Sequence, residues 1–163
     1  MHTNSGQDYQ INKRAGFSLI ELMIVVVIIA IAGAIAIPNM SGWFGKKDLD
    51  SISLQMFSDF QRARSEAITR GRTVTIQINK AGGWYEIHDS KGNQIVQQTT
   101  MPNRITITNT TFPLSSTVNT SGISSRGFVT QQGSVTIHSA SAPSGNSDEK
   151  ITLSLGGVVS ITP

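Results

Sequence analysis

The sequence predicts an α+β protein: a long N-terminal helix, half membrane-type and half amphipathic, packed on a mainly antiparallel β-sheet domain. Three observations predict it. The 21 residues from Phe17 to Ile37 contain only Ser18 and Glu21 as polar side chains. An apolar stripe at helical spacing follows between Lys46 and Arg70. After Gly71 the period changes to two and short strands succeed one another with no helix between them. A helix followed by a run of strands is the α+β order rather than the alternating α/β one.

The 163 residues suffice for one domain with appendages. The formal charge is +3, of which Lys13 and Arg14, offset by Asp8, supply one. A remainder of about +2 is too weak to argue for nucleic acid. With no cysteine, disulfide scaffolds, thiol catalysis and thiolate metal sites are excluded.

The first element is the apolar run. At 1.5 Å per residue a helix over Phe17–Ile37 spans about 30 Å, the thickness of a bilayer core. Lys13 and Arg14 stand just before it and hold the N-terminus in the cytoplasm by the positive-inside rule. A cleaved secretory signal fits poorly, because the run is longer than an h-region and no small-x-small site follows it. Glu21 is the exception within the run. A carboxylate in hydrocarbon costs about 2.5 to 3.5 kcal/mol on insertion scales, so it either sits at headgroup depth or has a function.

Residues 13–40, "KRAGFSLIELMIVVVIIAIAGAIAIPNM", resemble the N-terminus of type IV pilins and type II secretion pseudopilins. The likeness covers a basic leader ending in Gly16, then Phe17, then Ser-Leu-Ile-Glu-Leu, the apolar helix and Pro38. It implies that a prepilin peptidase cuts between Gly16 and Phe17 and that the new amine of Phe17 is N-methylated. It also implies that Glu21 meets the terminal amine of a neighbouring subunit during assembly on an inner-membrane platform. Each charge alone is costly in apolar surroundings and the pair offsets that cost, which makes Glu21 a mark of register. The organisation expected is a cleaved leader at 1–16, a membrane or filament-core half at 17–45 and a globular pilin-like domain at 46–163.

Pro38 lacks an amide donor and clashes with the preceding turn, so it either ends the membrane segment or breaks the helix there. The resemblance implies a break that loosens in the filament. Gly42 and Gly45 allow bending, and Trp43 and Phe44 form the aromatic pair a bilayer boundary prefers.

The second half of the helix, 46–70, carries Leu49, Ile52, Met56, Phe60, Ala63 and Ala67 on one stripe, and Gly71 stops it. In the sheet region, 73–163, "RTVTIQIN" puts Val74, Ile76 and Ile78 on one face. "WYEIHD", "QIVQQT", "RITIT", "GFVT", "GSVTIHS", "KITLSL" and "GVVSI" read as further strands. Residues 108–125 and 139–149 read as loops rich in Ser, Thr and Asn.

"FSDFQRARSEAITRGRTVTI", "RGFVTQQGSVTI" and "ITLSLGGVVSI" resemble the GspH/FimT-type minor pilins and pseudopilins. The resemblance implies a structural subunit that assembles with other pilins and helps initiate or cap a type IV pilus or a secretion pseudopilus. Some members bind DNA through Gly-Arg-x-Arg near the C-terminus. Here the stretch is "GGVVS", Gly156 to Ser160, without arginine, which argues against that alternative. Arg62, Arg64, Arg70 and Arg72 are close in sequence, but helix positions two apart diverge.

No enzyme chemistry is evident. His2, His88 and His138 lack metal spacing. "HDS" at 88–90 has the letters of a triad, but neighbours on a strand face opposite ways. "SGNSDEK" offers Asp148 and Glu149 to calcium but too few oxygens. No cofactor is expected.

Overall fold

The structure, a computed structural model, describes residues 17–163, except for the side chains of 36–39. The expected leader, Gly16 included, and the side chain of Pro38 lie outside the described residues. Contacts divide the chain into a unit ending at Pro38 and a unit spanning Asn39–Pro163. One helix, α1, is assigned over Leu19–Arg70 and belongs to both.

In the first unit α1 opens with an N-cap. Ser18 Oγ accepts from Ile20 N at 3.4 Å, and Ser18 O accepts from Leu22 N at 3.2 Å. The large apolar side chains from Phe17 to Ile35 stand 45% to 85% exposed. The described residues of the unit leave this surface uncovered. No single described helix is long and apolar enough to cross a membrane; the pair Leu19–Ile35 and Met40–Arg70 passes together on length and composition.

In the second unit the rest of α1 buries the predicted stripe. Leu49, Met56, Phe60, Ala63 and Ala67 are fully covered, and Ile52 is partly covered at the edge. Ser53 takes the inner position beside Ile52, and its hydroxyl donates to Asp50 O at 3.0 Å. The helix ends as predicted. Gly71 adopts φ +60°, its N–H bonds to Ile68 O, and Arg72 N–H bonds back to Ala67 O. That pair of bonds satisfies two of the last carbonyls.

The strands form two sheets in which every pairing is antiparallel. The first has the order β3-β2-β1-β6-β5, from β1 (Val74–Asn79), β2 (Trp84–Asp89), β3 (Gln94–Thr100), β5 (Leu114–Ser115) and β6 (Val118–Ile123). The second has the order β4-β7-β8-β9, from β4 (Ile105–Thr110), β7 (Gly133–Ser139), β8 (Asp148–Leu153) and β9 (Val159–Thr162). Val74, Ile76, Ile78, Tyr85 and Ile87 from one sheet and Val135, Ile137, Ile151 and Leu153 from the other join the helix stripe in one core. Phe60 meets Tyr85 edge-to-face at 6.5 Å between centroids.

Three expectations are corrected. Residues 108–125 are not a loop: they hold the end of β4, β5 and β6, and β6 pairs with β1. Its sequence, "VNTSGI", hides the strand because a serine fills a core position. Ser121 is buried and donates to Gln131 O at 2.7 Å, which satisfies the hydroxyl. "GFVT" is not a strand of its own; only Val129 bridges to Ile123, before Thr130 bonds back to Gly122. The loop at 139–149 ends earlier, since Asp148 and Glu149 already lie on β8.

Candidate assembly site

Glu21 lies in the first turn of α1, three residues after the N-cap Ser18. A carboxylate there is favoured by the partial positive charge of the helix N-terminus. Its side chain is exposed, as is Phe17 at 81%. Glu21 makes no ion pair among the described residues. Around it the surface is apolar.

Where the helix joins the domain, the packing is tight. A Cβ on Gly45 would stand 2.5 Å from Ser141 C, and one on Gly42 would touch Pro143. Lys46 Nζ bridges Asp50 at 2.9 Å and Glu149 at 2.7 Å. Burial lowers the Lys46 pKa, but hydrogen bonds to the two carboxylates outweigh it and raise it overall. The Lys46 hydrogen bond in turn lowers that of Asp50. Glu149 is thus spent on Lys46, and Asp148 faces His138 Nδ1 at 3.0 Å. No group of three or more His, Asp or Glu that could hold a metal occurs among the described residues. On the outer side Trp43 and Phe44 touch edge-to-face at 5.2 Å, about half-exposed, with Lys47 Nζ 5.6 Å from the Trp43 ring.

Arg70 and Arg72 share a partner, whereas Arg64 has a different one. Arg70 binds Glu66 at 2.6 Å, and Arg70 and Arg72 approach the buried Asp89 at 3.6 and 3.7 Å. Asp89 also accepts from the side chain of Asn93 and from the backbone N–H groups of Asn93 and Lys91, each at 2.9 Å. The Asn93 side-chain bond leads in lowering its pKa, to about 2. His88, next to it, is half-exposed and on the other face of β2, so the two form no triad.

Arg64 reaches a feature the sequence reading missed. Its Nη1 donates to Gly157 O at 3.1 Å. Gly157 belongs to the turn between β8 and β9, and that turn repeats one thirty residues earlier. "ISSRGFVT" at 123–130 and "LSLGGVVS" at 153–160 share the pattern apolar-Ser-x-x-Gly-apolar-Val-Ser/Thr. In each, the Ser N–H bonds to the carbonyl of the residue four on: Ser124 to Phe128 at 2.8 Å, Ser154 to Val158 at 3.0 Å. In each the Ser hydroxyl accepts that residue's N–H at 3.2 Å. Gly127 and Gly157 both adopt positive φ, +81° and +75°. Aligning the two octamers would have exposed the repeat; composition and periodicity do not.

The sequence profile described as type II transport protein GspH matches residues 54–157, more than half of the chain. The chain belongs to the GspH family. The prokaryotic N-terminal methylation motif matches residues 11–37 of this GspH-family chain. Its fold is similar to that of the minor pseudopilin EpsH from the type 2 secretion system of Vibrio cholerae, with a TM-score of 0.56 over 71% of this chain and 96% of that one at 12% identity. It is also similar to the type IV minor pilin FimU of Pseudomonas aeruginosa, with a TM-score of 0.54 over 72% and 90% at 19% identity. No curated relative matches the sequence. The GspH-family chain is a structural minor pilin or pseudopilin, a membrane-anchored subunit that assembles with other pilins.

Proposed function

We propose that the chain is a non-enzymatic filament subunit whose register in the assembly is set by Glu21. A prepilin peptidase removes residues 1–16 by cutting after Gly16, and the Phe17 amine is methylated. Lys13 and Arg14 hold the precursor's N-terminus in the cytoplasm, so the domain from 46 onward lies on the far side of the inner membrane. On the assembly platform the 17–45 segment leaves lipid for the filament core. There the Glu21 carboxylate takes up the cationic amine of a neighbour's Phe17. A neighbour slipped by a turn leaves two charges uncompensated in apolar surroundings, which is disfavoured. Pro38 gives the stem a point at which to yield. The subunit serves at the start or the cap of the filament.

The observation that carries this reading is the exposed Glu21, without an ion pair among the described residues, in the first turn of a helix whose apolar residues are left exposed by the described residues of their unit. Intact-mass measurement of the membrane-extracted chain tests the processing step. A species beginning at Phe17 and heavier by a methyl group is expected. Full-length precursor as the sole species would overturn it, as would normal processing of a Gly16→Leu variant.

A further inference from the structure

The loop between β7 and β8 grips α1 where the helix enters the domain. The loop is braced on itself: Ser139 N donates to Ser147 O at 2.8 Å, Ala142 N to Ser139 O at 3.3 Å and Asn146 N to Pro143 O at 3.0 Å. It is also tied to the start of β4, where Ala140 N donates to Arg104 O at 3.2 Å. Its Ser141 backbone occupies the space a Cβ on Gly45 would need, and Pro143 Cγ stands 3.5 Å from the place of a Cβ on Gly42. Gly45 is buried. The next residue, Lys46, bridges to Glu149 on β8 at 2.7 Å.

Two opposing effects meet at this point. Glycine is a poor helix former, and Gly42 and Gly45 are the only glycines between Met40 and Arg70. By composition the helix is therefore weakest at its entry to the domain. Fraying from the N-terminal side would run through these residues towards Leu49 and the core stripe unless a tertiary contact held them. The loop supplies that contact, and it reaches the helix backbone only because Gly45 has no side chain. We infer that residues 139–147 are a clasp that sets the limit of unwinding in α1: the helix yields ahead of Gly42 and not beyond it. The inference rests on the filament reading, in which the stem yields near Pro38, and adds the device that keeps the yielding out of the domain. A pull on the stem then reaches the sheets through the Gly45 contact and the Lys46–Glu149 bridge, with the helix still wound.

Hydrogen exchange of the full chain in detergent micelles, followed amide by amide, tests this, because helix propensity and the clasp predict opposite signs for one substitution. Gly45→Ala installs the better helix former, so a helix held by its own propensity would exchange more slowly at residues 46–50. The clasp requires faster exchange there, by roughly tenfold, because the new Cβ lifts the Ser141 backbone off the helix. Gly42→Ala, whose Cβ meets Pro143 at ordinary contact distance, should keep or gain protection. The double variant Ala142→Gly/Pro143→Gly loosens the loop without touching the helix and should speed exchange at 46–50 by about threefold. Ile76 and Ile137, one in each sheet, report whether the domain stays folded and should keep wild-type rates. Slower or unchanged exchange at 46–50 in folded Gly45→Ala overturns the inference, as does wild-type exchange there in the loop variant. Should Gly45→Ala lose sheet protection, the loop variant alone decides. Exchange is read without filaments, so a failed clasp leaves the filament role standing. A chain with its clasp intact that never enters filaments sinks that role alone.

Discussion

Arg64 on α1 holds Gly157 in the β8–β9 turn: Nη1 donates to the glycine carbonyl at 3.1 Å, and the Nε beside it is buried without a hydrogen-bond partner among the described residues. The contact ties the helix to the turn between β8 and β9. The guanidinium serves the fold by joining the two elements. Gly157→Ala introduces a Cβ 2.3 Å from Gly127 O and 2.7 Å from Arg64 Nε, at φ +75°. A loss of about 2 to 4 kcal/mol in urea denaturation is expected, combining backbone strain with the clash. Gly156→Ala, with open space around it, should cost under about 1 kcal/mol.

The Lys46–Glu149 bridge is asymmetric. Glu149 is the more buried partner, with 10% of its side chain exposed against 26% for Lys46. Lys46→Met leaves a buried carboxylate without its cation, while Glu149→Gln leaves Lys46 with Asp50 and water. The first substitution should therefore destabilise more than the second, by about 1 to 2 kcal/mol in denaturant midpoints converted to free energy.

Asp89 sets part of the acid limb. Its folded pKa of about 2 lies below the ordinary aspartate value of 3.8, so its contribution is present above the unfolded pKa and is lost as pH falls from about 4 towards 2. Asp89→Asn should be less stable than wild type at neutral pH, and the difference should narrow through that window. A constant difference from pH 5 to pH 2 in denaturation curves would contradict the assignment.

Tyr85 donates to Asp59 Oδ2 at 2.6 Å, and burial, followed by that carboxylate, pushes its hydroxyl far above the usual range. The stabilisation is present below the unfolded pKa of about 10 and is lost as pH rises through the folded value. The other tyrosine, Tyr9, lies in the proposed leader. Ultraviolet titration of the processed chain should therefore show no tyrosinate until the domain unfolds in alkali. Tyr85→Phe should cost about 1.5 to 3 kcal/mol.

Much of the fold was legible because its signals are periodic. Leu49, Met56, Phe60, Ala63 and Ala67 bury as the helical spacing requires, and Val74, Ile76 and Ile78 as the strand spacing requires. β6 was not legible, since its buried face includes Ser121, whose hydroxyl is satisfied by Gln131 O, a partner that sequence cannot reveal. The stop at Gly71 was read from residue type alone, whereas the roles of Gly127 and Gly157 emerge only when two distant turns meet. At the N-terminus Glu21 stood out because a charge interrupts an apolar run. Its partner could not be read from contacts, because no described residue of the chain supplies one.

Filament recovery of Glu21 variants tests the central claim most directly. Glu21→Ala and Glu21→Gln, produced with the companion pilins, should insert and be cut after Gly16 as in wild type. Their amount in sheared filaments, relative to the membrane pool, should fall roughly tenfold, and Glu21→Asp should recover part of it. Wild-type incorporation of processed Glu21→Ala would contradict the registry role.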